Sequence, residues 1–168
     1  RRRVWTTRPA GRLFSDGVLP GAGTPTGQVH DMIVNAYYVS QGSDADDTVP
    51  SLRRKALTGA PAAAAIGFVD EEIISGVEDL QVQFGIDPTG SNESATQYLN
   101  PGATLTNALN AGAQVISVRV WLLMRADRPE TGYVNTATYT YGNRSWTPND
   151  GFRRLLVPRT SQVRNSLG

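Results

Sequence analysis

Hydrophobic positions in residues 68–86, FVDEEIISGVEDLQVQFGI, change their period part-way along. Ile73, Ile74, Val77 and Leu80 recur at helical spacing, Asp70 stands where an N-cap would, and Glu71 and Glu72 suit the positive end of a helix dipole. This spacing predicts a short amphipathic helix. From Leu80 the pattern becomes Leu80, Val82, Phe84 and Ile86 against Gln81, Gln83 and Gly85, the two-residue alternation of a strand with one apolar and one polar face. A helix running directly into a sheet is expected.

Residues 114–124 give the clearest strand. Ile116, Val118, Val120, Leu122 and Met124 share one face, and Val115, Ser117, Arg119, Trp121 and Leu123 share the other. A central place in the sheet is expected, with the first set turned inward, so that Val118→Asp or Val120→Asp is expected to unfold the domain. Residues 32–39, MIVNAYYV, have the β-branched and aromatic profile of a strand. The acidic loop QGSDADDTVP leads from it to SLRRKALT, a return strand with Leu52 and Leu57 as its apolar positions. GAPAAAAIG at 59–67 reads as a linker, and 87–113 as a polar excursion with turns at Pro88 and Pro101 and a helical turn over 104–111. Residues 133–141 and 152–160 read as a hairpin whose long tip carries Trp146, and Pro158 places the last strand at a sheet edge or bulges it there. Residues 1–27 read as an extended or loop segment with a short strand near 4–7. The expected fold is α+β, mainly antiparallel sheet with a short helix leading into it, in a single domain over 1–168.

Three blocks recur in a recognisable order: IISGVEDLQVQFGID, then QVISVRVWLLMRA, then YTYGNRSWTPNDGFRRLLVPRTSQVRN. Over residues 68–165 this set resembles the C-terminal half of PilW-type minor pilins of the type IV pilus, and in part the J-type minor pseudopilins of type II secretion. The resemblance implies a pilin-like globular head and a structural role in the complex that primes pilus assembly or forms its tip. Its partners would be other minor pilins and a tip adhesin, with links to cell adhesion and twitching motility in Gram-negative bacteria. Such proteins begin with a cleaved leader and a long membrane helix, whereas this chain opens on Arg1, Arg2 and Arg3. The resemblance thus implies a C-terminal soluble fragment, acting at the periplasmic face of the inner membrane and in the extracellular pilus. A type II secretion pseudopilin, or an extracellular adhesin or ligand-binding β module, is the alternative.

Composition narrows the chemistry. The 168 residues are 39% hydrophobic, enough for a real core. A net charge of +1 gives no overall field for nucleic acid or anionic membranes. Without cysteine there are no disulfides, thiolate zinc sites or cysteine nucleophiles. His30 is the one histidine, beside Asp31 but without a nucleophile elbow anywhere, so no hydrolase triad and no histidine metal site is assigned. Gly21, Gly23 and Gly27 lack the spacing of a phosphate loop, with Pro25 between them. The loop Asp87, Pro88, Thr89, Gly90, Ser91, Asn92, Glu93 stands where PilW-like sequences often carry a calcium-type loop, but here the alternate acids are replaced by Thr89 and Ser91. Neither a metal nor a cofactor is assigned, and the chain is read as a non-enzyme. The arginine pairs 53–54 and 153–154 alternate across strand faces, which favours solvated or salt-bridged surface over a DNA patch. Trp121, Trp146, Tyr139 and Tyr141 are the interface candidates, with packing on the sheet face as the competing role for each.

Overall fold

Alternation of side chains between two faces is what the backbone obeys over more than half of the described residues. The computed structural model describes residues 33–59, 66–89 and 94–163. Among them, nine strands and one helix occur in chain order: β1 Asn35–Ser40, β2 Ser51–Gly59, β3 Ile66–Ser75, β4 Val77–Asp87, β5 Gln97–Leu99, α1 Ala103–Asn110, β6 Gln114–Arg125, β7 Tyr139–Tyr141, β8 Arg144–Trp146 and β9 Arg154–Gln162. They form a three-stranded sheet in the order β1-β2-β3, a four-stranded sheet in the order β5-β4-β6-β9 and the β7-β8 ribbon. Every pairing in the four-stranded sheet is antiparallel. The described residues divide into two compact units, one of 33–38, 53–59 and 66–73, the other of 39–52, 74–89 and 94–163.

The amphipathic helix expected from Asp70 to Leu80 is absent: β3 occupies its first half and β4 its second. The reason lies on the neighbouring strand. Arg53 meets Asp70 at 3.0 Å and Glu72 at 3.7 Å, Arg54 meets Glu71 at 2.5 Å, and Lys55 meets Asp70 at 3.9 Å. Three successive cations thus face three successive carboxylates, alternating between the two sides of an extended ribbon. On a helix those acids would fan out over a wide arc and lose that match. Val69, Ile73 and Ile74, β-branched, favour the extended form as well. Between β3 and β4 the chain turns on Gly76 alone, at φ 81°, where a side chain is disfavoured. Its N–H donates to Pro50 O and its carbonyl accepts from Arg125 N, both at 2.7 Å.

The helical turn expected at 104–111 is found as α1, anchored by the buried Leu105. β5 within the same excursion was not expected. The strand at 80–86 is found within β4, and that at 114–124 within β6, which pairs with β4 on one side and β9 on the other. β9 is an edge strand, as Pro158 requires. The long hairpin is corrected. Gly142 at φ 57° and Asn143 close β7 onto β8 in a tight turn of their own, so Trp146 lies on a strand and is half-buried, while β9 pairs with β6 instead. Beyond the ribbon, one isolated backbone bridge among the described residues, from Asn135 to Asp150, ties the 133–138 stretch to the segment leading into β9.

The inward face of β6 also needs correction. Leu123, with no exposed surface, is the most buried residue of the strand, and it belongs to the face expected to point out. Of the set expected inward, Ile116 is buried, whereas Val118, Val120, Leu122 and Met124 are only half-buried. Val77 and Ile86, near the two ends of β4, complete the fully buried apolar set. The readings at 1–27, at His30 and Asp31, at the glycines 21, 23 and 27, and at linker residues 60–65 lie outside the described residues.

Candidate interaction surface of the four-stranded sheet

Register places two chemically different faces on one sheet. On the first, Leu80 pairs across to Leu122 and Val157, Val82 to Val120, and Phe84 to Val118, with Met124 beside Leu155. All but Leu155 are half-buried, and Leu155 keeps 64% of its surface exposed. Nine apolar side chains therefore form a continuous, incompletely covered layer.

The second face carries Gln81, Gln83 and Gly85 of β4, Ser117, Arg119 and Trp121 of β6, and Pro158 and Thr160 of β9. Its lower end is closed by the β7-β8 ribbon. The Tyr141 hydroxyl donates to Asp79 at 2.7 Å, Arg144 reaches Asp79 at 3.1 Å, and Gly142 approaches so near Gln81 that a β-carbon there would be 3.1 Å from it. Tyr141 is buried, and that burial, together with the adjoining Asp79 carboxylate, pushes its phenol well above the usual tyrosine range. It is therefore a neutral hydrogen-bond donor at any physiological pH. At the upper end, Tyr98 of β5 lies across Gly85, opposite it in register. A β-carbon on Gly85 would stand 2.0 Å from Ser117 Oγ and 2.9 Å from the Tyr98 ring, so the ring can reach β6 only over a glycine. Ser117 Oγ donates to the Tyr98 hydroxyl at 3.2 Å. Between the two ends, Arg119 lays its guanidinium 3.7 Å from the centre of the Tyr98 ring and 5.8 Å from that of Trp121.

A charged clamp fixes one end of the sheet. Arg154, whose side chain is 1% exposed, donates to Glu78 at 2.6 and 3.0 Å and to Asp150 at 2.6 and 2.8 Å, forking onto each carboxylate. Burial opposes its charge, but the two carboxylates outweigh that and hold the guanidinium firmly protonated. Arg154 in turn keeps the Asp150 carboxyl below its usual range. Arg125 adds a contact to Glu78 at 3.8 Å, donates to Thr48 O at 2.7 Å and stacks on Phe152.

Several candidates from the sequence are thereby placed. Trp121 is half-buried on the polar face, Trp146 stacks against Arg154 and Arg144, Tyr139 accepts from Asn135, and Tyr141 is interior. Tyr139 and Tyr141 therefore do not make an exposed stripe. Both arginine pairs are ion-paired, Arg153 with Glu130. Asp87 is fully buried, its Oδ1 accepting from Thr89 N at 3.0 Å and Thr89 Oγ1 at 2.9 Å, a local turn; residues 90–93 of that loop lie outside the described residues. Among the described residues, no three His, Cys, Asp or Glu side chains gather as metal ligands, and no helix is long and apolar enough to cross a membrane. Tyr98 and Arg119 were missed from the sequence. The one signal was Gly85, a gap in an alternating strand.

A family model described as type IV pilus-assembly protein W matches residues 36–165, most of the chain. The chain belongs to the PilW family. Membership extends the resemblance upstream from residue 68 to the start of β1, so that the PilW match covers β1, β2 and the ion-paired ribbon as well as the four-stranded sheet. It identifies a protein of type IV pilus assembly, associated with the cell envelope and its pilus and acting with protein partners there. No curated protein and no solved structure matches the chain.

Proposed function

We propose that this PilW-family chain is a structural minor pilin, a subunit of the priming or tip complex from which the type IV pilus is assembled. It works through protein contacts with other minor pilins and a tip adhesin, at the periplasmic face of the inner membrane and then in the pilus outside the cell, and it catalyses no reaction. The observation that carries this reading is the apolar face of the four-stranded sheet, with Leu80, Val82, Phe84, Val120 and Leu122 half-buried and Leu155 largely exposed. Burying the exposed part of Leu155 is worth about 1–2 kcal/mol and completing the burial of each of the others less, and contiguous patches of this kind mark contact surfaces.

Deleting the gene and counting surface pili tests the reading, together with capture of the tagged full-length protein. The expected result is loss or sharp reduction of pili and recovery of sister minor pilins, identified by mass spectrometry. Normal pilus numbers in the deletion strain, with no minor pilin captured, would sink it.

A further inference from the structure

Arg119 stands apart from the other arginines. Arg53, Arg54, Arg125, Arg144, Arg153 and Arg154 each meet a carboxylate, and Arg128 and Arg159 are exposed to solvent. Arg119 is half-buried, yet no ion pair joins it to any carboxylate among the described residues. Its position is nonetheless fixed. The guanidinium lies on the Tyr98 ring at 3.7 Å, and Nε donates to Thr160 Oγ1 at 3.3 Å, while the two terminal nitrogens make no hydrogen bond among the described residues.

We propose that Arg119, flanked by Tyr98 and Trp121, is the seat for an Asp or Glu side chain of a neighbouring pilus subunit. This rests on the reading that the chain assembles with such subunits. A guanidinium offers paired N–H groups that match the two oxygens of a carboxylate, and here they are already oriented and partly removed from water. Arg, Tyr and Trp are also the residue types over-represented where interfaces concentrate their energy. The neighbouring amides argue for a protein acid over a sugar. Gln83 Nε2 donates to Asn100 Oδ1 at 3.0 Å, so the amides beside Arg119 spend a donor and an acceptor on each other and leave fewer groups for sugar hydroxyls.

The test captures the tagged full-length protein from pilus-assembling cells and measures recovery of sister minor pilins for wild type, Arg119→Glu, Arg119→Gln, Arg119→Lys and Arg128→Glu. Arg128 makes the same charge change on an exposed loop after β6, outside both faces of the sheet. Recovery is expected to fall at least tenfold with Arg119→Glu, less with Arg119→Gln, and only a few-fold with Arg119→Lys, while Arg128→Glu behaves as wild type. An acid-to-arginine change in the captured partner that restores recovery with Arg119→Glu would identify the pairing acid. Equal recovery with wild type and both Arg119→Glu and Arg119→Gln would overturn the proposal, as would an equal fall with Arg128→Glu. So would Arg119-dependent binding to acidic sugars on a glycan array with minor-pilin recovery unchanged. Failure of wild type itself to recover any minor pilin would instead overturn the functional reading on which the proposal stands.

Discussion

The three-stranded and four-stranded sheets share a strand-rich composition but are held together by different forces. In the unit of residues 33–38, 53–59 and 66–73, no side chain whose burial is described is buried, and Ile33, Tyr37, Phe68 and Val69 are largely exposed. What joins β2 to β3 there, besides the backbone ladder, is the row of ion pairs from Arg53, Arg54 and Lys55 to Asp70, Glu71 and Glu72. The four-stranded sheet instead packs Val77, Ile86 and Leu123 out of all contact with water and buries Arg154 between two carboxylates. Solvent-exposed ion pairs contribute little, whereas buried apolar area and satisfied buried charges decide whether a domain folds. Between these two sheets, the buried apolar side chains among the described residues lie in the four-stranded one, apart from Leu52 on β2.

Substitutions ranked by effect will break or sharpen that contrast. Leu123→Ala, at a position with no exposed surface, is expected to cost about 3–4 kcal/mol in urea unfolding. Arg154→Ala strands Glu78 and Asp150 beside a void; because both acids still reach some solvent, a loss of about 2–3 kcal/mol is expected by the same measurement. Gly85→Ala drives a β-carbon into Ser117 and Tyr98, and is expected to cost about 1–3 kcal/mol and to release the Tyr98 ring, visible as changed aromatic proton shifts by NMR. Acid should act through the same clamp. With the Asp150 carboxyl held below its ordinary value by Arg154, its contribution is complete above the unfolded aspartate value of about 3.9 and is lost as the pH falls through the lower folded value. Wild type is accordingly expected to lose more stability between pH 5 and pH 3 than Asp150→Asn, as followed by thermal melting. Smallest of all, Arg54→Ala is expected to move the urea midpoint little, since Arg54 is only half-buried and its partner Glu71 is exposed. A loss with Arg54→Ala as large as that with Arg154→Ala would erase the distinction between the sheets. Hydrogen exchange should order them the same way, with amides of β2 and β3 exchanging before those of β4 and β6.

Much of this architecture was legible in the sequence because strand alternation is a local signal. β1, β2, β4, β6, α1 and the edge position of β9 all follow from spacing and from Pro158. The failures were failures of locality. Residues 70–75 satisfy a helical template as well as a strand, and only the cations 17 residues earlier decide between them. Leu123 lies on the face that contains Ser117, Arg119 and Trp121, so composition made that face look outward; it is interior because Tyr141 and its ribbon, distant in sequence, close over Asp79 on the adjoining strand. The Tyr98–Arg119 stack joins residues from an unpatterned loop and a strand, and no periodicity relates them. Family membership, in contrast, was readable from the order of three blocks, none of which is distinctive alone.

Pro158 has one further consequence. β9 forms the outer margin of the four-stranded sheet, and at Pro158 that margin offers no amide hydrogen to an incoming chain. A margin with an unbroken row of free amides invites a stray strand to pair with it, without limit and without register. Pro158 breaks that row, so this selvedge is a poor template for another chain.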